Sequence, residues 1–134
     1  MKKKLNCIML IDDDEDDNFF HQRILRKSDV AEHIQVAQNG LDALDYLTKE
    51  NQIPELIFLD VNMPKMNGWE FLEEYSKVDA KQNTQPIIIM LTTSLNPADK
   101  ERAGKIYKID GFETKPLTGE MLDRILDRFF ARGL

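Results

Sequence analysis

Cysteine is nearly absent from this chain of 134 residues, with Cys7 standing alone. No internal disulfide can form, and a zinc site of several thiolates has nothing to be built from. Cys7 lies inside an apolar run and reads as core packing. A basic excess is missing as well. The 18 Lys and Arg residues face 24 Asp and Glu, a net charge of −6. That argues against nonspecific nucleic-acid binding, which needs a basic face to displace counterions, and against docking on anionic membrane. No apolar stretch reaches the roughly 20 residues of a membrane-spanning helix. Met1-Lys2-Lys3-Lys4 has the charge of a secretory start, but the apolar stretch behind it is broken by Asn6 and stops at Asp12. That is too short for a signal segment, so the expected location is the cytoplasm. There is no internal repeat, no low-complexity segment, no Gly-rich loop to cradle a nucleotide phosphate, and no EF-hand glycine and glutamate.

What is present suits one soluble globular domain spanning residues 1–134: 42% of residues are apolar and 31% charged, enough to bury a single core. Leu5 to Ile11 is an apolar run ended by acids, the pattern of a strand buried on both faces. Asp14 to Lys27 predicts a helix, with Phe19, Phe20, Ile24 and Leu25 at helical spacing, acids in front and Arg23, Arg26 and Lys27 behind. His33 to Gln38 is a more polar strand suited to a sheet edge. Asn39-Gly40 marks a turn, and Leu41, Leu44 and Leu47 stripe a second helix up to about Lys49. Leu56 to Leu59 is a third strand, closed by Asp60. Asn67-Gly68 opens a third helix with Trp69, Phe71, Leu72 and Tyr75, and Asp79 to Gln85 is a polar connection. Pro86 to Leu91 is a fourth strand. Asn96-Pro97 has the form of a cap and first turn for a fourth helix. Gly111 to Thr114 is a fifth strand, and Thr118 caps a last helix with Met121, Leu122, Ile125, Leu126, Phe129 and Phe130.

Strand and helix alternate five times, which predicts an α/β fold with a parallel sheet and helices on both faces. In such sheets ligands bind beyond the carboxyl ends of the strands. Those ends carry Asp12 and Asp13, Asp60, Thr92 and Thr93, and Lys115-Pro116. Each has an ordinary explanation. The run Asp12 to Asp17 could be a solvated helix N-terminus, which accounts well for Asp14 to Asp17 and poorly for Asp12 and Asp13. Asp60 could cap a loop, Thr92 could pack in a strand, and Lys115 could be a surface lysine. Their joint placement at four of five strand ends is what points to a site.

Clustered carboxylates repel strongly where the dielectric is low, so a cation is expected among them. Magnesium takes oxygen ligands, keeps several waters and accepts one or two carboxylates plus a phosphoryl oxygen. Mg²⁺ beside a lysine and a hydroxyl offers the charge neutralisation and alignment that phosphoryl transfer needs. A carboxylate nucleophile would yield an aspartyl phosphate.

Four segments carry a resemblance over nearly the whole chain. They are Leu10-Ile11-Asp12-Asp13-Asp14, Leu59-Asp60-Val61-Asn62-Met63-Pro64-Lys65-Met66-Asn67-Gly68, Met90-Leu91-Thr92-Thr93-Ser94, and Gly111-Phe112-Glu113-Thr114-Lys115-Pro116. In this order and at these strand ends, the chain resembles the CheY-like response-regulator receiver domain of two-component signalling, of the single-domain type. The resemblance implies a flavodoxin-like (βα)5 sandwich with strand order 2-1-3-4-5, the order for which this family is itself a standard example. It implies that Asp60 is the phosphoacceptor. It implies that Asp13 and Asp60 bind Mg²⁺ directly, Asp12 through water and Asn62 through its backbone carbonyl. Lys115 would pair with the phosphoryl group and Asp60, ahead of a cis bond to Pro116. Thr92 would move toward the phosphoryl oxygens, with Thr93 one residue away as the alternative, and Phe112 would be the switch aromatic. Asn62 and Ser94 would sit where relatives tune the lifetime of the acyl phosphate.

The implied function is that of a phosphoacceptor signalling domain, not an enzyme beyond its own phosphotransfer and autodephosphorylation. The donor would be a phosphohistidine on a sensor histidine kinase or a histidine phosphotransfer protein. Output would go through protein contacts to a downstream target, across the face of the fourth helix, fifth strand and last helix, with no direct nucleic-acid binding and no membrane insertion. The apolar surplus of the last helix has two readings, a phosphorylation-dependent homodimer or a helix whose end folds back on the body. Three other readings fit the pattern less well. A phosphatase of the haloacid-dehalogenase type would carry a second aspartate where Asn62 stands. A flavodoxin-like cofactor binder would not have an acidic first loop. A degenerate receiver would have lost key residues that are all present here.

Overall fold

A computed structural model describes residues 4–49, 53–61, 63, 66–79, 86–93, 101 and 109–130. Its elements run β1 (Leu5–Ile11), α1 (Glu15–Ser28), β2 (Ala31–Ala37), α2 (Gly40–Lys49), β3 (Leu56–Leu59), α3 (Gly68–Asp79), β4 (Ile87–Thr92), β5 (Gly111–Thr114) and α4 (Gly119–Phe130). The helix expected from Asn96-Pro97 lies outside the described residues, as do Asn62 and Ser94.

All four strand pairings are parallel, and the order is β2-β1-β3-β4-β5, so the flavodoxin-like order holds. The two-residue period of a strand sends alternate side chains to opposite faces. Met9, Ile11, Ile57, Leu59, Ile88 and Met90 therefore meet Ala43 and Leu47 of α2 and Phe71, Leu72 and Tyr75 of α3. Their neighbours Ile8, Leu10, Leu56, Phe58, Ile89 and Leu91 meet Leu25 of α1 and Leu122, Ile125 and Leu126 of α4. Cys7 is fully buried. At the edge, β2 has only one fully buried residue, Ala37. It begins at Ala31 and not at His33, because Ala31 is already in register with Leu5.

Polar residues set the helix starts. Asp14 Oδ1 accepts from the N–H groups of Asp16 and Asp17 at 2.9 and 3.2 Å. Asn39 accepts from the Asp42 N–H at 2.8 Å. Asn67 and Glu70 form a reciprocal capping box, each side chain accepting from the other's N–H, at 2.9 and 3.1 Å. Thr118 Oγ1 accepts from the Met121 N–H at 3.1 Å. Helix α1 ends at Asp29, the one non-glycine residue with positive φ among the described residues, at 53°.

The inner face of α1 departs from the sequence-based expectation. Phe19 is 63% exposed and Phe20 45%, and the Arg23 guanidinium lies 6.0 Å from the centre of the Phe19 ring. The buried residues are Asn18, His21 and Leu25. The helix turns its most polar inner positions toward the carboxyl ends of the strands, where polar atoms await them, and the phenylalanines are left outside. In α4 the large apolar residues are covered by the body to different extents. Leu122, Ile125 and Leu126 are buried, and Met121, Phe129 and Phe130 pack partly buried against the same cluster.

Candidate functional site

The first strand ends at Ile11, and the next residue, Asp12, is buried although charged. Its carboxylate Oδ1 accepts from the Asp14 N–H at 3.0 Å, and its backbone carbonyl accepts from Asn18 Nδ2 at 2.8 Å. The neighbouring strand places Asp60 beside it, through the Asp60 N–H donating to the Ile11 carbonyl at 2.9 Å. Asp60 is buried too, and Asp13 is exposed. One carboxylate oxygen from each of Asp12, Asp13 and Asp60 can be chosen so that all three lie within 4.8 Å of one another.

From the opposite side of the site comes Lys115, one residue past β5. Its backbone N–H donates to the Thr92 carbonyl at 2.7 Å, which ties the end of β5 to the end of β4. Its bond to Pro116 is cis. Its side chain is only 10% exposed, and Nζ lies 2.6 Å from Asp12 Oδ2, 2.8 Å from Asp17 Oδ2 and 3.5 Å from Asp60 Oδ1. Thr92 is buried and Thr93 is exposed, so Thr92 is the hydroxyl residue built into the strand end. Phe112 sits partly buried in β5, in register with Met90, and packs on the α2–α3 side of the sheet.

Burial pushes Asp60 up from the ordinary aspartate value to about 6, the negative charge of Asp12 adds to this, and Lys115 opposes it. A group at about 6 is still mostly ionised at neutral pH and can act as a nucleophile. For Lys115 burial pulls downward, but the hydrogen bonds to Asp12 and Asp17 outweigh it and hold the ammonium above the ordinary lysine value. The donor set of the three aspartates is all oxygen, anionic and crowded, which fits a hard divalent cation of the magnesium type.

Two contributors carry no mark in the sequence pattern. Asp17, which by sequence belongs to a solvated helix N-terminus, binds Lys115 instead. His21 is buried, and its Nε2 accepts from the Leu117 N–H at 3.4 Å, bracing the turn that follows Lys115. Burial holds the imidazole below its ordinary pKa, in keeping with an acceptor nitrogen. The 18, 21, 25 spacing of the buried residues is a helical period, and it would have been visible had polar side chains been admitted to the inner face. Gly68, at the end of the Leu59–Gly68 segment, lies against the site: a Cβ there would come within 2.7 Å of the Asp60 carbonyl oxygen. Asn62, the remaining expected ligand, is outside the described residues.

The family model for the response regulator receiver domain matches residues 8–127. Among curated proteins, the sensor histidine kinase CheAY of Helicobacter pylori is 30% identical over 121 residues, which are 90% of this chain and 14% of that protein. This chain therefore spans a small part of that kinase. A chemotaxis protein CheY homolog of Campylobacter jejuni is 34% identical over 97 residues, covering 72% of each chain. Among solved structures, a two component response regulator from Cytophaga hutchinsonii superposes with a TM-score of 0.86 at 30% identity, over 94% of this chain and 97% of that one.

Proposed function

The chain belongs to the response regulator receiver domain family, and on that premise we propose that Asp60 accepts a phosphoryl group from a phosphohistidine, on a sensor histidine kinase or a histidine phosphotransfer protein. The observation that carries this reading is the convergence of Asp12, Asp13 and Asp60 within 4.8 Å beside a lysine whose side chain is 10% exposed. In the transfer, an oxygen of the Asp60 carboxylate forms the new P–O bond as the P–N bond to the donor imidazole breaks. Asp12, Asp13, Asp60 and the Asn62 carbonyl would hold Mg²⁺, which supplies neutralisation of the phosphoryl oxygens. Lys115 places a point charge on the same oxygens.

Transmission runs through Thr92 and Phe112. Thr92 ends β4 and Phe112 lies on β5, so a hydroxyl drawn toward a phosphoryl group would tug on the strand that the aromatic packs against. The aspartyl phosphate thereby biases a two-state surface. That surface meets a downstream protein target in the cytoplasm. The domain catalyses only its own phosphotransfer and autodephosphorylation. A phosphorylation-dependent homodimer could form through the last helix, where Met121, Phe129 and Phe130 are only partly buried.

The test is mass spectrometry after incubation with acetyl phosphate and Mg²⁺. The wild-type chain gains one phosphoryl group, and Asp60→Asn gains none, since an amide does not attack phosphorus. Uptake by the variant at the wild-type rate would assign the nucleophile elsewhere.

A further inference from the structure

We propose that Asp17 is a positioning residue that holds Lys115 in its resting place and competes with the incoming phosphoryl group for it. The inference rests on the receiver reading above and adds to it a determinant of how readily the site is filled. An ammonium has three N–H donors. Lys115 directs short hydrogen bonds to Asp12 at 2.6 Å and to Asp17 at 2.8 Å, and makes only a longer, weaker ion pair with Asp60, at 3.5 Å. The lysine that must serve the phosphoacceptor is therefore held on the α1 side of the site.

Two features separate Asp17 from Asp12. Asp12 is one of the three crowded carboxylates, whereas Asp17 is outside that set. Asp12 is buried, whereas the Asp17 side chain is 36% exposed. Solvent screens the Asp17 pair, so it is the contact that gives way when a stronger anion appears. Asp17 is also free for this task. The cap of α1 is made by Asp14, whose Oδ1 accepts from the Asp17 N–H, so the Asp17 carboxylate is not the capping group. The helix end itself is pinned by Asn18 Nδ2 on the Asp12 carbonyl. Asp17 is thereby presented at a fixed place to a lysine 98 residues away.

The test is the affinity for beryllofluoride in the presence of Mg²⁺, followed by calorimetry or by the fluorescence of Trp69, the only tryptophan. The proteins are the wild type, Asp17→Asn, Lys115→Ala and the double variant. Asp17→Asn binds about two- to fivefold tighter, the range expected for a partly exposed ion pair that no longer has to be given up. The gain disappears in the Lys115→Ala background, and Asp17→Glu returns the affinity to the wild-type value. An equal gain with and without Lys115 would mean that only the removed charge matters, and would overturn the proposal. Weaker binding by Asp17→Asn together with a lower melting temperature would reduce Asp17 to a structural residue and overturn it as well. Wild type and Asp17→Asn binding equally well would defeat this inference alone. A wild-type chain that binds no beryllofluoride would defeat the receiver reading beneath it.

Discussion

Strands β1 and β3 pass through two opposite environments within one residue. Ile11 and Leu59 are completely buried among apolar side chains, and the residues that follow them, Asp12 and Asp60, are buried among charges. Each fully buried large apolar side chain stabilises by about 1.5–3 kcal/mol. Each ionised carboxylate withdrawn from water beside another does the reverse, unless a cation or hydrogen bonds offset it. The interior of the sheet supplies stability, and its rim consumes some of it to keep Asp12 and Asp60 buried side by side. Lys115 is the link between the two regions: its backbone closes the ladder at Thr92, and its ammonium offsets the charge at Asp12.

The contrast is broken most severely from the interior. Phe58 is fully buried on the α1–α4 side. Phe58→Ala is expected to lose about 3–5 kcal/mol, from lost transfer energy and the cavity left behind. Urea unfolding measures it. A loss below about 1 kcal/mol would show that this layer repacks freely, and the division between a stabilising interior and a costly rim would not stand.

The rim responds in the opposite direction. Asp60 titrates at about 6 in the folded chain against an ordinary 3.8, so the folded state holds the proton more tightly than the unfolded one. Stability from this group is therefore fully present below pH 3.8 and is lost as pH rises through about 6. At about 1.4 kcal/mol per pH unit, the ionised carboxylate costs on the order of 3 kcal/mol at neutral pH. Asp60→Asn, measured in chelator, should be more stable than wild type by up to about 3 kcal/mol at pH 7.5, and the gain should shrink toward pH 4. A variant less stable than wild type at pH 7.5 would mean that the pairing with Lys115 outweighs burial.

These two regions were not equally legible in the sequence. Strands β1, β3 and β4 stand out because each is an apolar run, and the polar residues that stop them are the rim itself, so Asp12, Asp13, Asp60, Thr92 and Lys115 could be named together. The sheet order was implied by the resemblance. What stayed hidden depends on contacts across the fold. Asp17 reads as a solvated acid because its partner lies at the other end of the chain. Asn18 and His21 carry no apolar signal, so the helical period in this stretch rests on Phe19 and Phe20, which the structure leaves exposed. The start of β2 was set two residues late because Ala31 carries little hydrophobic signal and owes its place to pairing with Leu5.

The smallest expected effect sharpens the contrast where the two regions touch, at Gly68. Its N–H donates to the Val61 carbonyl at 2.8 Å, and a Cβ would stand 2.7 Å from the Asp60 carbonyl oxygen and 3.1 Å from the Val61 Cα. Two effects oppose each other in Gly68→Ala. Alanine is the better helix former by up to about 1 kcal/mol, though less at the first position of a helix than in its middle. Against this, the clash is with backbone, which cannot swing aside as a side chain could, and overpacking of this kind costs about 1–3 kcal/mol. The clash wins, and a net loss of about 1 kcal/mol is expected. Because the displaced atoms belong to Asp60, phosphate uptake from acetyl phosphate should fall more than the stability loss explains. Unfolding and uptake measured on the same preparation decide the matter. A variant as stable as wild type with unaltered uptake would show that α3 can shift outward as a unit, and that the close approach of Gly68 does not help to place Asp60, the proposed phosphoacceptor.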